Sequence, residues 1–239
     1  MAKGYNTYIW GPPLWRILHT LAHASPNDPR VGTWLTTLCD SLPCSFCRSS
    51  YSRYLDEMEQ KHGLLVTVVK ERRLERWMYD LHELVNDKLD HQHFKKVLEP
   101  VFHELGCDVE CDSRRISFEC VRKRYTITPV AFCDQDVWSV LAIFALNYPT
   151  RLKTSEQQHK AQQFCIFVLL LPDILELSGG GGAAAAQKLE VALPMDSGAL
   201  QSDDAMLGWV ARAKGQLVDD MRRQYSLAEA GACVDGSCV

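Results

Sequence analysis

Two cysteines separated by two residues, Cys44-Ser45-Phe46-Cys47, directly follow Pro43. If this stretch opens a helix, both sulfurs fall within bridging range and one sits near the helix N-terminus. The partial positive charge at that end favours a thiolate, and a pair so placed suits thiol–disulfide exchange. The same four residues also serve as half of a zinc site in other settings, or as inert thiols. Against zinc, no second CxxC and no following HxxxH stand at finger-like spacing, and no metal ligand set is expected.

Ten cysteines occur in 239 residues. The start, Met1-Ala2-Lys3-Gly4-Tyr5, has no apolar core of a secretory signal, so a reducing, cytoplasmic setting is expected. Structural disulfides are rare there, and so many cysteines point to thiol chemistry as the protein's business. The longest apolar run, Phe164 to Pro172, is too short to span a bilayer and reads as a buried helix. A net charge of -4 with both signs mixed leaves no electrostatic footprint for nucleic acid. Neither nucleic acid nor a membrane is therefore expected as a partner.

The apolar positions recur at helical spacing. A helix over residues 9–24 opens at Gly11-Pro12-Pro13 and buries Trp15, Leu18, His19 and Ala22 on one face. Pro26-Asn27-Asp28-Pro29 breaks it, and a second helix over 31–42 turns Trp34, Leu35 and Leu38 inward. The third runs from the CxxC through Tyr51, Tyr54, Leu55 and Met58 to Gly63. Leu64 to Val69 is β-branched and reads as a short extended linker. Leu74, Trp77, Met78, Leu81, His82, Val85 and Leu89 then mark a long amphipathic helix. On it His82 and Asn86, at i and i+4, share the apolar strip. Buried without partners they would cost a few kcal/mol, and a bound ligand would supply those partners.

Three of these segments carry linked motifs: Trp10-Gly11-Pro12-Pro13-Leu14-Trp15-Arg16-Ile17-Leu18-His19, then Cys44-Ser45-Phe46-Cys47, then His82-Glu83-Leu84-Val85-Asn86-Asp87-Lys88-Leu89. In type, order and spacing the set resembles the Erv/ALR family of FAD-linked sulfhydryl oxidases, above all its members from large DNA viruses. The resemblance implies an all-α fold, a four- or five-helix bundle that holds FAD without a Rossmann glycine fingerprint. It implies flavin contacts at Gly11, Trp15, His19, Tyr51, His82, Val85, Asn86, Lys88 and Leu89; for Tyr51 a plain core role is equally open. Cys44 and Cys47 become the catalytic pair. Cys44, nearer the solvent-facing helix end, is the expected target of protein dithiols, while Cys47, one turn deeper, passes electrons to FAD and so to molecular oxygen, giving hydrogen peroxide. The chain departs from the family where Pro12 replaces the arginine after the glycine, and where the glycine-lysine-proline and spaced-cysteine tail is missing.

Residues 1–106 are thus expected to form the oxidase domain. Residues 107–134, with Cys107, Cys111, Cys120 and Cys133, alternate with period two on either side of Arg122-Lys123-Arg124 and read as a β-hairpin linker. Over 135–227 helical spacing returns: Trp138, Leu141, Ala142, Ala145 and Pro149 repeat the pattern of Trp15, Leu18, His19, Ala22 and Pro26. Trp209, Leu217 and Met221 echo Trp77, Val85 and Leu89. The second half reads as a degenerate copy, with Ala142, Lys214 and Val218 where His19, His82 and Asn86 stand in the first. It would cover the apolar face that family members bury by dimerising, so the molecule is expected to be a homodimer or an internal pseudo-dimer. Ser178 to Ala186, rich in glycine and alanine, reads as a loop. The tail 228–239 carries Cys233 and Cys238 around Asp235-Gly236, a candidate dithiol shuttle, with Cys107 and Cys111 as the rival pair. Cys39 and Cys165 read as buried thiols. The rival functional class is a zinc-binding or non-catalytic helical interaction protein, and the oxidase would work in a host cytoplasm or in virions if the source is viral.

Overall fold

In the computed structural model the described residues are 7–88, 116–127, 134–148, 154–179, 185, 187–188 and 203–226. Every element among them is helical, so the fold is all-α as the motifs predict. The first, α1 (Thr7–Ala24), begins a turn upstream of the two prolines and carries both inside it. It ends where Ser25 takes a positive φ of 48°. Asp28 caps α2 (Pro29–Ser41) through the Arg30 amide, with proline in the first turn where its missing N–H is harmless. α3 (Ser45–His62) starts at the CxxC and stops at Gly63, whose φ of 83° favours glycine.

Residues 65–70 form a short helix, α4 (Leu65–Lys70), and not the expected extended linker. Its Val68 and Val69 are fully buried, and α4 packs on α2, so tertiary burial overrides the β-preference of valine and threonine here. α5 (Leu74–Lys88) is the long amphipathic helix. Asp80, buried on it, gathers Lys61, His62 and Arg76 at 2.9, 2.9 and 3.0 Å and ties α5 to the end of α3.

The expected β-hairpin is overturned as well: residues 118–127 form α6 (Phe118–Ile127). Phe118, Val121 and Tyr125 alternate in type with their neighbours, but they also stand three and four apart. That spacing builds one helical face, which here docks on α1 and α5. α7 (Asp134–Leu146), α8 (Ser155–Leu177), α9 (Asp203–Lys214) and α10 (Val218–Ser226) complete the described elements. Gly215, at φ 73°, breaks the chain between α9 and α10. Positions 77–88 of the first half form one unbroken helix, so the two segments compared by the tryptophan spacing differ in shape at this end.

The two halves share one continuous hydrophobic core. α2 lies along α8 and α1 along α7. Trp34 of α2, fully buried, stacks on Phe167 of α8 at 5.0 Å between ring centres, and its indole N–H donates to the Phe167 carbonyl at 3.1 Å. Trp10 meets Phe144 edge-on at 6.1 Å. Arg30 reaches Asp173 at 2.6 Å, and Arg16 grips the buried Asp136 of α7 through both carboxylate oxygens. No described helix is long and apolar enough to cross a membrane.

Candidate redox site

Pro43 ends the α2–α3 connection and hands the chain to Cys44 in extended conformation, φ -103° and ψ 124°. That conformation makes Cys44 the N-cap of α3. Its sulfur accepts the Cys47 amide N–H at 3.2 Å, the role a serine or aspartate oxygen commonly fills at a helix start. The cap has an electrostatic consequence. The Cys47 thiol, the amides of Cys47 and Phe46 and the nearby Lys88 ammonium all stabilise negative charge on Cys44, and bring its thiol down to about 6 against the cost of burial. Cys47 moves the opposite way, raised by its contact with Cys44 and by burial. Both stand as thiols and not as a disulfide, as do Cys39, Cys120 and Cys165. Burial pushes Cys39 up to about 11 and raises Cys165, so the two stay protonated.

One expectation about the pair is corrected. Cys44, though at the helix end, is only 1% exposed and belongs to the hydrophobic core; Cys47 is the partly exposed residue. A measurable result follows from the cap. The thiolate ultraviolet absorbance of the reduced protein, less that of Cys44→Ser, is expected to rise with a midpoint near pH 6. A midpoint near the ordinary thiol value of 9.0 would mean that the cap does not hold charge.

The aromatic and imidazole residues of α1 and α5 meet one another across the α1–α5 interface. His19 Nε2 and His82 Nδ1 lie 2.8 Å apart, so one ring donates to the other. Trp15 stacks flat on His82, 3.8 Å between centres at 9°. The polar partners expected from a ligand are therefore found within the chain: His82 pairs with His19, and Asn86 donates to Glu83 at 3.0 Å. Burial holds both imidazoles neutral, His19 down at about 3 with help from the Arg124 charge, and His82 well below its usual value.

Neutral buried histidines make the fold sensitive to acid. Each takes up its proton near pH 6.5 when unfolded, so its contribution is complete above that pH and is lost as pH falls toward the folded values. Each proton then costs about 1.4 kcal/mol of stability per pH unit, and the pair up to about twice that. The melting temperature of the protein without added ligand should drop steadily between about pH 6.5 and pH 5, and less so in His82→Gln. A flat profile in the parent would contradict the neutral pair.

The remaining predicted residues fall in three groups. Lys88, at the end of α5, donates to the Ser50 hydroxyl at 2.7 Å and approaches the Phe46 carbonyl at 3.5 Å, which brings the far end of the α5 face to the CxxC turn. Val85 is half-buried on the same helix, and a side chain added at Gly11 would meet nothing within 4 Å. Tyr51 instead sits in the α2–α3 interface, its hydroxyl donating to the Leu35 carbonyl at 3.0 Å. Leu89, Cys107, Cys111, Cys133, Cys233 and Cys238 lie outside the described residues, so neither shuttle pair is placed. Spacing alone missed Tyr125, whose ring lies 5.3 Å from His19 at 23°. The helical reading of Phe118, Val121 and Tyr125 was the signal that would have found it. Among the described residues no three His, Cys, Asp or Glu side chains converge as metal ligands do.

A helical bundle that caps a helix with one sulfur of a CxxC pair, and reaches that turn with the end of the helix that carries a cluster of neutral imidazoles and a stacked tryptophan, suits thiol–disulfide redox chemistry. Residues 12–103 match the model of the Erv1 / Alr family. Protein 347L of Invertebrate iridescent virus 6, named as a candidate FAD-linked sulfhydryl oxidase, is 28% identical over 91 residues, which span 35% of this chain and 82% of that protein. The FAD-linked sulfhydryl oxidases of two African swine fever virus isolates, from a tick in Malawi and a pig in Kenya, are each 28% identical over 87 residues, 34% of this chain and 68% of theirs. No solved structure matches the chain.

Proposed function

We propose that the protein is an FAD-dependent sulfhydryl oxidase that makes disulfide bonds in protein substrates. The observation that carries this reading is the Cys44 cap: a sulfur held toward thiolate, in hydrogen-bond contact with the Cys47 thiol, inside a segment that matches the Erv1 / Alr family. A substrate thiolate attacks the Cys44–Cys47 disulfide, a mixed disulfide forms, and the second substrate thiol resolves it, leaving the substrate oxidised and the pair reduced. The thiolate preference of Cys44 makes it the better leaving sulfur in this exchange.

The residues present suit a flavin. Trp15, His82 and His19 offer flat ring faces, the neutral imidazoles can donate or accept, and Lys88 brings positive charge to the same end of the bundle. Gly11, Trp15, His19, His82, Val85, Asn86, Lys88 and Leu89 are the residues that would hold it, with Tyr51 supporting α3 from behind. Held there, FAD would supply two-electron redox chemistry, accepting the electron pair of the reduced dithiol with oxygen as the final acceptor and hydrogen peroxide as the product. Cys233 and Cys238 are the proposed shuttle from bulky substrates, with Cys107 and Cys111 as the other pair. The second half is proposed to be a degenerate copy of the first that covers α1 and α2 in place of a partner subunit, and the site of action to be a host cytoplasm or virion.

The test is stoichiometry. With a reduced, unfolded protein dithiol as substrate, the full chain loaded with FAD should consume one oxygen and release one peroxide for each disulfide made. Thiol loss without oxygen uptake, or no thiol loss at all, would sink the oxidase reading.

A further inference from the structure

α6 lies beyond residues 12–103 and so outside the segment that matches the family. It is nevertheless fastened across α1 and α5. The Tyr79 hydroxyl donates to the Ile116 carbonyl at 2.7 Å, the Tyr79 ring meets Phe118 edge-on at 5.5 Å, and the Arg76 guanidinium covers the Phe118 ring at 5.1 Å. One turn further, Arg122 reaches Glu75 at 3.4 Å, and Glu75 also accepts from His23 of α1 at 2.8 Å. These anchors fix the C-terminal end of α6 over α1, where Tyr125 is 9% exposed with its ring nearly parallel to that of His19.

The result is a continuous row of four rings from three helices: Trp15 on His82, His82 beside His19, His19 beneath Tyr125. A leucine or valine would close a purely structural gap as well as a tyrosine. A ring held at 23° over an imidazole does something more specific, because it adds one more π-system to the stacked rings of α1 and α5, the kind of surroundings that favour a planar heteroaromatic partner. The bidentate Arg16–Asp136 pair lies beside it and ties this end of the row to α7, so the second half of the chain braces the site as well.

We propose that Tyr125 is a positioning residue of the flavin site, an aromatic wall supplied by a helix outside the family segment, without which the row Trp15, His82 and His19 does not hold the cofactor's planar ring tightly. This rests on the reading of the protein as an FAD enzyme.

The experiment uses the full chain freed of flavin and titrated with FAD, following the quenching of flavin emission and the shape of the visible band. Three proteins are compared: the parent, Tyr125→Leu and Tyr125→Phe. Tyr125→Leu is expected to weaken FAD binding by about tenfold, the factor an aromatic stacking pair commands, and to leave bound flavin more fluorescent. Tyr125→Phe should bind within about twofold of the parent, since the ring and not the hydroxyl does the stacking. The melting temperature of each flavin-free protein is measured alongside, and Tyr125→Met, which fills the space flexibly, replaces Tyr125→Leu if the latter melts early. Equal binding and an unchanged spectrum in parent and Tyr125→Leu would overturn this assignment alone, as would a Tyr125→Phe defect as large as that of Tyr125→Leu. A parent that takes up no flavin would overturn the oxidase reading and this assignment with it.

Discussion

Cys47→Ser is expected to stop dithiol-driven turnover, by at least roughly a thousandfold, because the pair acts as a unit and one sulfur cannot form the intramolecular bridge. The backbone explains why the rest of the site should survive. The cap on Cys44 is the amide of residue 47 and not its side chain, so serine keeps the 3.2 Å contact and the start of α3. Flavin content should therefore stay at the parental level. Cys44, left with no resolving neighbour but only 1% exposed, should react slowly with a small disulfide and keep the adduct, the thiolate attacking one sulfur and expelling the other as a free thiolate. Mass spectrometry reads the adduct and flavin absorbance reads the cofactor. Turnover near the parental rate in Cys47→Ser would remove the CxxC from the chemistry altogether.

Trp34→Ala is expected to be the most damaging single change to the fold. The indole is fully buried between α2 and α8, stacks on Phe167 and satisfies the Phe167 carbonyl. Its removal leaves a cavity and takes away the indole's hydrogen bond to the Phe167 carbonyl, at a cost of about 3–5 kcal/mol. For a chain of this size that lowers the melting temperature by roughly 10 °C. Because Trp34 and Phe167 belong to one core that runs through both halves, the loss should move a single transition. Two separated transitions, with the first half unmoved, would show instead that α2 and α8 merely touch. The same substitution should weaken the redox site only indirectly, through α2, which carries Tyr51's acceptor Leu35 and leads into the CxxC turn.

Much of the site was readable from spacing because helices turn periodicity directly into faces. Trp15 and His19, four residues apart, had to share a side of α1, and His82 and Asn86 a side of α5. What spacing could not tell was that these sides meet each other, so that His19 and His82 satisfy one another at 2.8 Å and the polar pair needs no ligand to be stable. α4 and α6 were misread for one reason. Six or ten residues are too few to separate a period of two from one of 3.6, and Val66, Thr67, Val68 and Val69 carry a strand preference that burial against α2 overrides. The depth of the two cysteines was misjudged on different grounds: a helix end is ordinarily exposed, but here Cys44 and the connection before it, Ser41 to Pro43, are all buried. The partnership of the halves was legible only as a suggestion from repeated tryptophans. Its physical content, α2 on α8 and α1 on α7 with Arg16 gripping Asp136, depends on residues about 120 apart in sequence, at the separation the Arg16–Asp136 bond shows.

The central claim, electron transfer from the Cys44–Cys47 dithiol into a bound flavin, is tested most directly by the visible absorption spectrum of the purified full chain. A small dithiol is added without oxygen, and air is then admitted. The claim predicts a flavin band that bleaches on adding dithiol, recovers in air as peroxide forms, and does neither in Cys47→Ser. A protein that binds no flavin, or a bound flavin that the dithiol leaves oxidised, would contradict it.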